Sequence, residues 1–308
     1  MTRFGRVVNG VFDPMTAQGG GLLQRFAIAG WAAEIVPPEA TLTGQRRTTA
    51  TYGFGLFEAI ADADITACAD RQKVDTPAQA GTPNLVKSAS DGKTHVGRFG
   101  WKCQSAKLVD FAANAMMNEM GVSNRLFAVE NRPNAPATPV EPAAVEDQPD
   151  ADGVEAMDHL AHFMRFLAPY PSVVSTHTND DLDTDPTLSR GFTIFTQTGC
   201  AVCHKPSWVT GGDTRELAGR RVWAFSDFLL HDVGTGDGLA LGSASGTQLR
   251  TAPLVGVQEA FGYLHDGSAP TVDDAITRHG AQARESSARY AALSADDRAE
   301  LLAFIKGL

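Results

Sequence analysis

Cys200-Ala201-Val202-Cys203-His204 sets two thiols two residues apart with a histidine directly after the second. That order of groups suits covalent capture of one haem. Each thiol adds to one vinyl group, and the adjoining imidazole reaches the iron from the same side. Two other uses of Cys-x-x-Cys stand beside this one. A zinc site needs a second pair of ligands, and no further Cys-x-x-Cys or His-x₃-His pair completes a tetrahedron. A redox dithiol usually opens a helix after a strand in an α/β domain, and no such pattern surrounds Cys200. The other cysteines, Cys68 and Cys103, fit neither a haem nor a zinc spacing. In an exported domain such a pair is expected to form a disulfide, with free buried thiols as the alternative.

The elements that must position this motif are helical. Asp185, with Pro186 at the first helical position, opens a helix whose Leu188, Phe192 and Phe195 lead straight to the cysteines. Upstream, Asp152 and Glu155 form a capping box before Met157, Leu160, Ala161, Met164 and Leu167. Thr271 with Asp274 starts a helix that ends near His279, and Ser294 with Asp297 starts a last one striped by Leu301, Leu302, Ile305 and Leu308. Short helices around one loop-borne motif fit a small all-α haem domain. Residues 130–153 carry five prolines among Ala, Glu and Asp and read as an extended linker, which divides the chain into 1–150 and 151–308. Before it, Leu108, Phe111, Ala112, Ala115, Met116 and Met120 recur at helical spacing with Gly121 placed to end the helix, and the remainder is glycine-rich and irregular.

Composition sets outer limits. A chain of 308 residues with 43% hydrophobic and 20% charged residues is long enough for two ordinary globular domains. A net charge of −10 speaks against nucleic acid as a partner and suits a basic redox protein equally with plain solubility. No apolar run approaches the ~20 residues of a membrane helix. The start, Met1-Thr2-Arg3-Phe4-Gly5-Arg6, leads into polar and glycine-rich sequence rather than the apolar core of a signal peptide. Covalent haem attachment normally follows export. A periplasmic or otherwise exported protein is therefore expected, with sequence upstream of Met1.

From about Arg3 onward the chain carries a series of collinear sequence blocks. They are Arg3-Phe4-Gly5-Arg6, Phe12-Asp13-Pro14, Gly53-Phe54-Gly55-Leu56-Phe57-Glu58-Ala59-Ile60, Gly97-Arg98-Phe99-Gly100-Trp101-Lys102 and Asn118-Glu119-Met120-Gly121. They continue with the Cys200 motif, Ser226-Asp227-Phe228-Leu229-Leu230-His231-Asp232, Leu249-Arg250-Thr251-Ala252-Pro253-Leu254 and Leu264-His265-Asp266-Gly267. In these blocks the chain resembles the bacterial di-haem oxidoreductases, distant relatives of the di-haem cytochrome c peroxidases, a family that uses two haems, one relaying electrons and one reacting with peroxide or another small oxidant. Its members carry a first Cys-x-x-Cys-His upstream of the block where this chain begins. The resemblance therefore implies one covalent haem c here and a second on upstream sequence.

In the peroxidase relatives the residue fourteen after the histidine of His-Asp-Gly is an iron ligand, usually Met. Counting from His265 gives His279, with His231 and His265 as alternatives. A haem held by His204 and His279 would be low-spin, lower in potential than a His/Met haem, and closed to substrate. Arg250 is a candidate to neutralise a haem propionate through its guanidinium, a surface salt bridge being the other reading. Trp101 and Trp208 are assigned to packing.

The expected fold is mainly α, with a C-terminal cytochrome c-like domain and a partly irregular N-terminal region. The expected function is electron transfer within a peroxidase-like di-haem oxidoreductase, with a redox protein as donor and hydrogen peroxide or another small oxidant as acceptor. A stand-alone mono-haem carrier and an oxidase that modifies a partner protein are the other readings.

Overall fold

The computed structural model describes the chain except residues 19–21, 27–32, 130–144, 176, 178–181, 183–184, 186–187 and 212–213. The N-terminal stretch, expected to be irregular, is in part a small antiparallel sheet. Strand β1 (Thr2–Val8) lies between β2 (Val11–Asp13) and β3 (Leu42–Gln45). Phe4 on β1 is buried, while Arg6 reaches across to Asp13 at 2.8 Å.

Helices α1 (Phe54–Glu58) and α2 (Asp62–Asp75) follow. Alpha2 buries Ile65, Cys68, Ala69 and Gln72, the i, i+3, i+4, i+7 face of an amphipathic helix, and carries Asp62 and Asp64 at its positive end. Arg98 joins the two helices. Its guanidinium donates to the carbonyls of Phe57 (3.2 Å) and Glu58 (3.1 Å), satisfying the open end of α1, and pairs with Asp62.

After the hairpin of β4 (Leu85–Lys87) and β5 (Thr94–Val96) comes α3 (Leu108–Ala115), which widens into a π-turn at Met116–Met120 and stops at Gly121, φ 69°. Met116 and Met117 face the core, and Met120 is exposed.

Residues 130–144 of the expected linker lie outside the described residues, and from Val145 the chain is seated rather than extended. Asp147 is buried and accepts hydrogen bonds from the Ala156 and Met157 amides at 2.8 and 3.1 Å, capping α4 (Ala156–Phe166). The capping box expected from Asp152 and Glu155 does not form, because Asp147 already holds the first-turn amides. Pro186 lies outside the described residues, and α5 (Ser189–Gln197) begins a few residues later than expected.

The C-terminal half is not purely helical. It also carries the antiparallel pairs β6 (Trp208–Val209) with β7 (Arg221–Val222) and β8 (Leu230–Asp232) with β9 (Gln248–Arg250). Strands of two or three residues leave no readable alternation in sequence. Helices α6 (Val272–Thr277), α7 (Arg284–Ala291) and α8 (Ala295–Lys306) complete the chain. Thr271 and Ser294 cap α6 and α8 as expected, accepting from the Asp274 and Asp297 amides at 3.0 and 3.1 Å.

With 34% helix and 14% strand, the chain is helix-rich with small sheets. Two main cores form. One gathers Phe54, Phe57, Leu108, Met164 and Phe228, drawing on both sides of the expected division near residue 150. The other packs α5 against α8 through Phe195, Phe225, Phe304 and Ile305. Cys68 and Cys103 do not form the expected disulfide. Both are free and buried, Cys68 on the inner face of α2 and Cys103 donating its thiol to the Phe228 carbonyl at 3.3 Å. Among the described residues no helix is long and apolar enough to cross a membrane.

Candidate functional site

Helix α5 delivers the chain to Gly199, whose φ of 90° makes the turn that a side chain would resist. Cys200–Val202 then form one 3₁₀ turn, closed by the Cys203 amide on the Cys200 carbonyl, which also accepts from the His204 amide at 2.9 Å. Residues 225–227 clamp the loop from below. The Ser226 and Asp227 amides donate to the Lys205 and Cys203 carbonyls, both at 2.9 Å. Phe225 and Phe228 flank this clamp with φ of 47° and 57°, left-handed conformations that cost an L residue about 1–2 kcal/mol each and persist because both rings are locked in the cores.

The loop forms one wall of a cavity of about 560 Å³, mostly apolar and within the size range of small-molecule and cofactor sites. Cys200, Cys203, His204, His231, Arg250, His265 and His279 all line it, so the candidate residues singled out in the sequence face one space.

The three classes of histidine here differ in what holds them. His204 donates from Nδ1 to the Phe225 carbonyl at 2.9 Å, and His279 from Nδ1 to the Ala275 carbonyl, one turn back on α6, at 2.6 Å. A carbonyl only accepts, so Nδ1 carries the proton and Nε2 keeps the lone pair that a metal needs. Burial pushes the His204 imidazolium down to about 4 and lowers His279 as well. Both rings are therefore neutral at pH 7, the ligating form.

His231 is the opposite case. Its Nε2 is 2.8 Å from Asp227 Oδ2 and its Nδ1 3.6 Å from Cys203 Sγ. Burial alone would lower its pKa, but the Asp227 carboxylate outweighs burial and holds it at about 10. Asp227 is itself fully buried. The His231 charge, the Gln72 amide at 2.8 Å and the Leu229 amide at 2.9 Å override burial and keep it below the usual carboxylate range. Both His231 nitrogens are engaged, Nε2 by Asp227 and Nδ1 by Cys203 Sγ, so neither ring lone pair faces the cavity unpartnered. Cys203, Asp227 and His231 also have ligand atoms within 4.8 Å of one another, a geometry that would suit a small metal ion. The Asp227–His231 ion pair already satisfies two of those three groups.

His265 is an uncharged ring set edge-on to Trp101, 6.3 Å between centroids, with burial lowering its pKa. Arg250 is buried, not at the surface. It donates from Nη1 to the Arg98 carbonyl at 2.7 Å. Sequence reasoning missed Asp227, Gln72 and Arg47, the last also lining the cavity. The Asp227–His231 spacing of four in non-helical chain gave no signal, and Gln72 lies 155 residues from the carboxylate it supports. The block that contains Ser226-Asp227-Phe228 was the only pointer.

Residues 36–308 match the family model described as "Di-haem oxidoreductase, putative peroxidase". No curated protein matches the chain. Among solved structures it is similar to hydrazine synthase of Kuenenia stuttgartiensis pressurised with xenon, at 22% identity and a TM-score of 0.33. That match covers 49% of this chain and 55% of that one. With the family model spanning all but the first 35 residues, the chain belongs to the di-haem oxidoreductase family.

Proposed function

We propose that this chain holds one haem c, joined to Cys200 and Cys203 through thioethers with His204 and His279 as axial ligands. In this reading residues 151–308 are a cytochrome c-like domain that passes electrons within a peroxidase-like di-haem oxidoreductase. One observation carries the reading: beside a Cys-x-x-Cys turn, two neutral imidazoles line one apolar cavity, each with Nδ1 tied to a backbone carbonyl.

The residues present fit the group. Haem bound here supplies one-electron transfer. The Phe225 and Ala275 carbonyls fix the tautomer and aim of each ring, and the walls from Phe195, Leu254, Val272 and Ile276 keep water out. With His204 and His279 both holding the group, the site would favour relaying electrons over cleaving peroxide. The donor in this scheme is a redox protein, to which the acidic surface would suit a basic face. Hydrogen peroxide or another small oxidant would react at the second haem of the di-haem scheme. Because thioether attachment normally follows export, this reading carries with it a location outside the cytoplasm, in the periplasm or an equivalent exported compartment.

A pyridine haemochrome assay and optical spectrum of the full chain, produced with a secretion signal and haem-maturation machinery, test this beside His279→Met. The expected result is one covalent haem, low-spin in the parent, with a new thioether charge-transfer band and a higher potential in the variant. Absence of covalent haem overturns the attachment, and a high-spin spectrum indifferent to position 279 overturns the ligand pair.

A further inference from the structure

Among the described residues, the buried cations Arg46, Arg98, Lys102 and Arg250 and the half-buried Arg47 fall into two sets. Arg46 and Lys102 share Asp237, the first at 2.6 Å and the second at 3.5 Å, and Lys102 also donates to the carbonyls of Ser245 (2.8 Å) and Gln248 (2.6 Å). Arg98 has Asp62. Arg47 and Arg250, by contrast, have no carboxylate partner among the described residues. Arg250 is 4% exposed, and its Nε is buried with nothing to donate to. Arg47 Nε is in the same position, the guanidinium lying over Trp101 at 5.8 Å. His265, 6% exposed, has a buried Nδ1 that is also without a partner.

These three groups share one frame. The Arg47 amide donates to the His265 carbonyl, Trp101 Nε1 to the Arg47 carbonyl, and the Arg250 amide to the Trp101 carbonyl, each at 2.8 Å. All three line the cavity already described. A buried guanidinium without a counter-charge is strongly unfavourable, and a buried donor without an acceptor adds to that. In a chain of net charge −10, the buried Arg250 and the half-buried Arg47, whose Nε is itself buried, mark on one cavity wall where a ligand brings its negative charge.

We propose that Arg47, Arg250 and His265 form a two-carboxylate site, and that its ligand is the propionate pair of the haem assigned to this cavity. The inference rests on the haem reading and extends it from one arginine to a wall. Planar guanidinium matches a carboxylate with two parallel N–H donors, so two arginines suit two carboxylates. His265 Nδ1, protonated in the fitting tautomer, adds a neutral donor between them.

The test separates carboxylate recognition from haem binding. The full chain carrying Cys200→Ala and Cys203→Ala is titrated optically with haem and with haem dimethyl ester, in which both carboxylates are blocked. The expected result is haem bound at least about ten-fold more tightly than the ester, with Arg47→Gln narrowing that ratio several-fold. Arg47 is only half-buried, so this variant does not empty a core position, and the ester comparison needs no substitution in the wall. Equal affinity for haem and ester overturns the carboxylate site while the haem reading stands. Binding of neither overturns the haem reading and the inference with it.

Discussion

His204 and His231 sit on the same cavity, and a single atom type separates their chemistry. His204 leans on a carbonyl, stays neutral and keeps Nε2 for a ligand, whereas His231 leans on a carboxylate, is charged and has both nitrogens in use. The partner decides which imidazole stays neutral with Nε2 free and which becomes an ion-pair member: burial lowers the pKa of both rings, and only the Asp227 carboxylate overrides it. His279, with its own carbonyl, falls on the His204 side of this divide.

The sharpest way to break that comparison is Asp227→Asn. Removing one member of a buried ion pair costs about 3–5 kcal/mol, measured by urea unfolding of the reduced chain near pH 6. The sign follows from His231. Its pKa is raised from 6.5 to about 10 on folding, so the stabilisation is fully present below 6.5 and is lost as pH rises through about 10. The gap between parent and variant should therefore shrink between pH 6.5 and 10. Lys102, which burial pushes down to about 8, titrates in the same window in both proteins and cancels from the difference. A gap that ignores pH would mean that Asp227 acts by packing alone.

What the sequence disclosed follows the range of each interaction. The Cys200 motif and the caps at Thr271 and Ser294 are contiguous or three residues apart, so local spacing exposes them. The cap of α4 comes from Asp147, nine residues before the amide it accepts from, and a nearer, wrong candidate in Asp152 masked it. The Asp227 site needs Gln72 and His231 brought together by the fold, and the unpaired state of Arg47 depends on which carboxylates the fold keeps away. Cys68 and Cys103 misled for the same reason. Their number suggested a bridge, but α2 turns Cys68 into the first core while Cys103 is held at the Phe228 carbonyl.

A smaller perturbation on the charged side is Gly81→Ala. A Cβ at Gly81 would overlap the His231 ring and crowd Leu229 Cβ at 2.7 Å, so only glycine lets this backbone pass. Overpacking of this kind costs about 1–3 kcal/mol. Because the clash displaces His231 from Asp227, the loss should be greater at pH 6 than at pH 10 in the same urea assay. Equal loss at the two pH values would show that the ring moves together with its carboxylate.

On the neutral side the anchor of His279 is only as firm as α6, a six-residue helix whose Ala275 carbonyl holds the ring. Thr271→Ala removes the hydroxyl that accepts from the Asp274 amide, a loss of about 1 kcal/mol by the usual worth of such a cap. His204 is held by a loop carbonyl that this substitution does not touch. Amide hydrogen exchange should therefore rise across 272–279 and stay unchanged across 200–204. Equal quickening of both segments would mean that the two imidazole anchors are one cooperative unit, and the contrast between helix-held and loop-held imidazoles would have to be given up.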